Sequence, residues 1–145
     1  MLVKRDHRTK TQRCWHNMMQ RCANPKNHAF ARYGGRGITV ADEWRVFSNF
    51  LSDMGECPSG CSIDRINNQL GYCKDNCRWA TEKEQQRNRR DNVRVSLNGE
   101  TLCLSEWAER CGISQRTLHM RLKRGMPFSQ AVTQSLRKVS KGGSK

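Results

Sequence analysis

The chain is short of acid: 13 Asp and Glu stand against 27 Lys and Arg, a formal charge of +14 on 145 residues. It is also short of proline, with 3, of tyrosine, with 2, and of hydrophobic residues, at 35%. So modest an apolar share confines the core to one ordinary domain or two very small ones. No apolar run approaches the ~20 residues that cross a bilayer, and "MLVKRDHRTK" holds no stretch fit for a secretory signal. The expectation is a soluble, cytoplasmic protein with no membrane partner. Its 8 cysteines are then expected as thiols or metal ligands rather than disulfides.

What the chain has instead is cationic charge spread along its length. Residues 1–92 carry 17 basic and 10 acidic residues, and residues 93–145 carry 10 and 3, so each part is net +7. An excess of this kind points to a polyanionic partner, nucleic acid first; a generally cationic, solvated surface is the alternative.

Residues 1–10 lack periodicity and read as a basic arm. In "TQRCWHNMMQRC", Trp15, Met18, Met19 and Cys22 recur at i, i+3, i+4 and i+7, which is one helix face, and Asn24-Pro25 ends it. "FARYGGRGITV" sets three glycines around Arg36. It reads either as a tight turn into a strand or as a loop that brings Arg32 and Arg36 to a phosphate. "ADEWRVFSNFLSDMG" spaces Trp44, Phe47, Phe50, Leu51 and Met54 as a core helix capped by Asp42 and closed by Gly55. Then come a strand "SIDRI", a turn, a strand "CRWA", and a polar Arg-rich helix through "EKEQQRNRR", where Thr81 and Glu84 have capping-box spacing.

After residue 92 the pattern changes. "VRVSLNGETLCL" predicts a hairpin turning at Asn98-Gly99. Ser105 is expected to cap a short helix that Gly112 ends, and Ser114 a second helix that Gly125 ends; a last short helix opens at Phe128-Ser129. Ala108, Gly112, Leu118 and Leu122 suit a helix-turn-helix. That leaves Gln115, Arg116, His119, Arg121 and Lys123 outward, where Gln and Arg read base edges and Arg or Lys hold phosphates of double-stranded DNA. A small helical hairpin with a solvated basic face is the other reading. Residues 141–145 read as a disordered tail.

The pieces "YGGRGITV", "DMGECPSGCSIDRINN", "GYCKDNCRWAT" and "EQQRNRR" together resemble the small phage-type HNH endonucleases over about residues 12–92. The C-terminal part resembles, less specifically, the DNA-binding repeats appended to phage and homing nucleases. The resemblance implies an α+β protein: an HNH-like ββα-metal domain over residues 1–92, then a β-hairpin plus helix-turn-helix domain over 93–140. It implies metal-dependent hydrolysis of DNA in the cytoplasm of a bacterial host. Asp64 falls where the family places a carboxylate ligand for Mg2+ or Mn2+. Asn76 falls on the Asn that steadies the loop and orients the base. Gln85 falls on the second ligand position, with Asn88 one turn on as a substitute or phosphate contact. Arg78, Arg87, Arg89 and Arg90 are the cations expected along the DNA.

One position departs from the family. Arg65 stands directly after Asp64, where the general-base His belongs, and a guanidinium stays protonated and cannot act as that base. It can hold a phosphate or stabilise developing charge. A cation bound by Asp64 and an amide oxygen would bridge the scissile phosphate, while the imidazole that deprotonates water would have to be His16, His28 or nothing. The readings are therefore a DNA endonuclease or nickase and a catalytically degenerate DNA-binding protein acting as a regulator or inhibitor. Cys57-x3-Cys61 and Cys73-x3-Cys77 add either a structural zinc site or four small buried thiols.

Overall fold

The structure is a computed structural model that describes residues 7–133. Over the described residues the protein is α+β, with helices and two separate two-stranded antiparallel sheets. It divides into two compact units between Arg90 and Asp91. Residues 1–6 of the expected arm, residues 134–140 and the expected tail lie outside the described residues.

The first unit opens with α1 (Lys10–Ala23). Its start is a capping box: Thr9 accepts from the Gln12 backbone N–H, and the Gln12 side chain accepts from that of Thr9. This box satisfies two of the donors that a helix start leaves unpaired, so helix begins inside the stretch read as arm. Asn24 is the C-cap. The glycine segment forms two short 3-10 turns, Phe30–Arg32 and Gly34–Arg36, and no regular strand; Val40 makes a single parallel bridge to Tyr72. A Cβ on Gly34 would sit 2.1 Å from the Cys22 carbonyl oxygen. The close approach that this glycine permits is to the end of α1, as the turn reading requires.

The expected helix over 42–54 is broken. Asp42–Arg45 is a 3-10 turn, Val46 is extended, and α2 runs Phe47–Met54. Asp42 does not cap it but pairs with Arg45 at 3.1 Å. The break rotates Trp44 inward: its indole donates to Asp53 at 2.8 Å, and its carbonyl accepts from the Trp15 indole at 2.7 Å. A β-branched residue such as Val46 loses little in the extended state. Gly55 closes α2 with φ +67, a backbone state that glycine adopts without a Cβ clash.

β1 (Cys61–Arg65) pairs antiparallel with β2 (Cys77–Thr81), Asp64 opposite Arg78, and α3 (Glu82–Arg87) follows directly. The Thr81–Glu84 capping box is present. Helix ends at Arg87, so Asn88 is the C-cap and Arg89 and Arg90 lie beyond it rather than on a continued helix. Ile63 and Cys77 join Met18, Ile38, Trp44, Phe50 and Tyr72 in the core, and the Trp79 indole donates to the Met54 carbonyl at 2.7 Å.

In the second unit β3 (Arg94–Leu97) and β4 (Glu100–Cys103) turn through Asn98 at φ 52 and Gly99 at φ 82, the two positive values that a two-residue hairpin loop demands. α4 (Leu104–Arg110), α5 (Gln115–Lys123) and α6 (Phe128–Thr133) pack around Trp107, Ala108, Ile113, Leu118, Ala131 and Val132. Ser114 caps α5 as expected. The cap of α4 is Cys103, not Ser105, because Glu106 accepts from the Cys103 backbone N–H at 2.9 Å.

Candidate functional site

A pocket of about 180 Å³ lies against β1 in the first unit. Ser62, Ile63, Asp64 and Arg65 line it, so it flanks the strand rather than one of its faces. Cys14, Asn17 and Arg21 come from α1 at i, i+3 and i+7, which is one side of that helix. Tyr33, Asn68, Tyr72 and Gln85 complete the wall.

Asp64 and Arg65 are neighbours in a strand, and successive strand side chains point to opposite faces. Asp64 goes toward α3 and Arg78. Its Oδ2 accepts from Arg78 Nε at 3.3 Å and from Asn88 Nδ2 at 3.1 Å. Arg65 goes inward with Ile63 and is 6% exposed. Its Nη1 donates to the carbonyls of Asn68 at 3.1 Å and Leu70 at 2.8 Å, and its guanidinium carbon lies 5.2 and 5.1 Å from the Tyr33 and Tyr72 ring centres. Arg65 thus lines the same pocket as Asp64 but from the inward side of the strand. Arg65 ties down the loop that follows β1, with a guanidinium engaged by two carbonyls and two rings.

Asn76, 5% exposed, holds the same loop from the other side. Its Oδ1 accepts from Asn67 N at 2.9 Å, and its Nδ2 donates to Asn67 O at 3.1 Å and Gly71 O at 2.8 Å. One side chain thus satisfies three backbone groups of a turn that has no ladder of its own. Asn68 adds a bond to the Asn88 carbonyl at 2.6 Å, which joins loop to helix end.

The strand, turn, strand and helix thus bring Asp64, Gln85 and Asn88 together. Gln85 Nε2 donates to Ser62 Oγ at 2.6 Å, Ala80 O at 3.0 Å and Ser62 O at 3.3 Å. Asn88 Nδ2 donates to the Arg65 carbonyl as well as to Asp64. Hard divalent cations take oxygen ligands. Both bonds to Asp64 fall on Oδ2 and all three from Gln85 leave from Nε2, so Asp64 Oδ1 and Gln85 Oε1 are the oxygens that fit Mg2+ or Mn2+. No histidine is among the residues lining the pocket.

Arg21 and Arg65 put two cations against one pair of rings. Arg21 lies 4.7 Å from the Tyr33 ring centre and 5.0 Å from that of Tyr72. The two guanidiniums are thus less than about 10 Å apart, one Debye length at 0.1 M salt. Burial pushes the Tyr72 hydroxyl and the Cys22 thiol above their ordinary pKa values, and the Arg21 charge partly offsets it for both. Arg21 Nε is buried with no hydrogen-bond partner among the described residues.

Among the described residues no group of three or more His, Cys, Asp or Glu side chains is placed to hold a metal. The four cysteines Cys57, Cys61, Cys73 and Cys77 do not converge. Burial raises the Cys57 thiol, with Cys14 beside it adding to the shift, and Cys57 Sγ donates to the Cys61 carbonyl at 3.2 Å. Burial of Cys77, the first residue of β2, pushes its thiol up to about 12.

None of the remaining expected cations is among the residues lining the pocket. Arg32 and Arg36 are exposed on the 3-10 turns, Arg36 donating to the Arg32 carbonyl at 3.3 Å. Arg78 is exposed, Arg87 half-buried, and Arg89 and Arg90 exposed. On α5, Gln115, His119 and Lys123 form an exposed stripe at i, i+4 and i+8, with Arg116 beside it. Arg121 differs, being half-buried with Nη1 donating to the Ala131 carbonyl at 2.7 Å, a bond that ties α5 to α6. Arg21, Tyr33 and Tyr72 were not singled out as site residues in the sequence. Arg21 shares the heptad spacing of Cys14 and Asn17, the one signal that could have found it.

No protein-family model, curated protein or solved structure matches the chain. Among the described residues no helix is long and apolar enough to cross a membrane.

Proposed function

We propose that the protein binds double-stranded DNA and hydrolyses a phosphodiester in the manner of the HNH endonucleases, with a divalent cation held at Asp64. The observation that carries this reading is the convergence of Asp64 and Gln85 on one pocket whose wall contains two guanidiniums. Among the described residues Asp64 Oδ1 and Gln85 Oε1 are engaged by no other group, so a cation and a phosphate have complementary partners there. Bound Mg2+ or Mn2+ would supply Lewis acidity at the phosphate and at the leaving oxygen. The chain's own residues do the rest: Asp64 and Gln85 offer oxygens, Asn88 orients the carboxylate, and Asn76 and Arg65 fix the loop between the strands. The charge of +14 and the stripe on α5 supply DNA affinity.

A second reading, DNA binding without cleavage, rests on one specific observation. The lining residues include no histidine, and Arg65 is spent on the loop, so the pocket offers no imidazole to deprotonate the attacking water. Supercoiled plasmid incubated with the protein and Mg2+ or Mn2+ separates the two. Nicking that disappears in Asp64→Ala supports hydrolysis at this site; undiminished nicking in that variant removes Asp64 from the reaction and sinks the first reading, and no nicking with any metal beside retained DNA binding sinks it in favour of the second.

A further inference from the structure

The geometry points to Arg21, from α1, as the group that receives the DNA phosphate in this pocket. This deepens the reading above and rests on it.

Two guanidiniums face the same pair of tyrosines, yet their situations differ. Arg65 gives its Nη1 to two carbonyls of the loop after β1. Among the described residues the Arg21 guanidinium has no hydrogen-bond acceptor; its Nε is enclosed, so it is the Nη groups that a ligand would meet. A guanidinium whose donors go unpaired in a pocket wall is costly until an acceptor reaches it. Like-charged side chains gathered on one pair of rings add repulsion that a bound anion relieves. Arg21 lines the pocket that also holds Asp64, so the acceptor it lacks and the anion that the cluster favours are one ligand.

The chemistry of that ligand follows from the donor. A guanidinium offers planar, paired N–H groups that match two oxygens of a phosphate. Tyr33 and Tyr72, with ring centres 6.3 Å apart, fix the plane of the side chain and leave it little freedom to lose on binding. The pocket's polar rim, Asn17, Asn68 and Ser62, adds further groups that can hydrogen-bond oxygen. The phosphate-holding charge that the sequence offers at Arg65 thus comes from the first helix, outside the strand–turn–strand–helix unit, where the motif gives no hint of it.

The experiment follows the Arg21 Nε–H resonance by NMR in the full 15N-labelled chain, titrated at constant ionic strength with a short DNA duplex and, separately, with inorganic phosphate. The inference expects the duplex to shift this resonance. It also expects Arg21→Gln, which removes the charge, to weaken duplex binding and lower the slope of log affinity against log salt by about one, and Arg21→Lys, which keeps the charge and loses the fork, to weaken binding with the slope retained. No shift with either ligand overturns the inference, even if Asp64-dependent nicking is found. A shift with inorganic phosphate alone also overturns it, because the pocket then serves a free phosphate. A shift with the duplex in a protein that nicks nothing leaves Arg21 as the phosphate receptor and removes only the cleavage reading.

Discussion

Replacing Arg65 with His would restore the residue that the HNH pattern wants at that position, and the structure predicts loss of stability rather than gain of activity. Arg65 is 6% exposed, donates to the Asn68 and Leu70 carbonyls, and lies against both Tyr33 and Tyr72. Hydrogen bonds from a charged donor contribute roughly 1.5–3 kcal/mol each, and removing one partner leaves the other group unsatisfied. An imidazole on the same strand residue is too short to replace both bonds and both ring contacts, so the loss should be about 3 kcal/mol. For a domain of 60–100 residues that corresponds to a drop in Tm of about 12–24 °C. Thermal and urea unfolding of the full chain, followed by circular dichroism and Trp fluorescence, gives the number. Arg65→Lys should fall almost as far, because an ammonium lacks the planar fork. A change under about 0.5 kcal/mol, the level typical of surface substitutions, would refute the inward placement of Arg65. So would metal-dependent nicking by a fully stable Arg65→His.

Asn76→Ala should cost about 2–3 kcal/mol in urea unfolding, since it strips the partners from three backbone groups of one loop. The Trp44 indole and then the Lys74 ammonium hold the Asp53 carboxyl below its usual pKa. That stabilisation is complete above the ordinary carboxylate pKa of about 4 and is lost as pH falls through the depressed folded value. In Asp53→Asn the acid-side decline in Tm should therefore be shallower than in the parent. Arg116→Ala and Lys123→Ala should each weaken duplex binding, and shallower salt dependence identifies those that touch phosphate; unchanged affinity and slope in both would remove α5 from the interface.

Much of the scaffold was legible because it is local. The Thr81–Glu84 box, the Asn98-Gly99 turn, Ser114 as cap and the glycines that end helices are each determined within a few residues. Where tertiary contacts decide, the sequence misled. The helix expected over 42–54 breaks at Val46 because Trp44 must reach Asp53 and Trp15. Arg121 reads as an outward cation and is drawn onto the Ala131 carbonyl by α6. The site shows the same division. Asp64, Gln85 and Asn88 fall together because a two-stranded unit and the next helix bring them there at short range. Arg21 joins them from more than 40 residues upstream of Asp64, and nothing local to α1 signals that its guanidinium will lie on Tyr33 and Tyr72. Arg65 shows why motif position alone is insufficient: it lines the same pocket as Asp64, yet strand alternation turns its guanidinium inward onto the loop carbonyls.

The central claim is a divalent cation at Asp64, and paramagnetic broadening by Mn2+ tests it most directly. Substoichiometric Mn2+ added to the 15N-labelled chain should broaden first the backbone amides of Asp64, Gln85 and Asn88, and that local effect should vanish in Asp64→Ala. Broadening centred elsewhere, or unchanged in Asp64→Ala, would contradict the account.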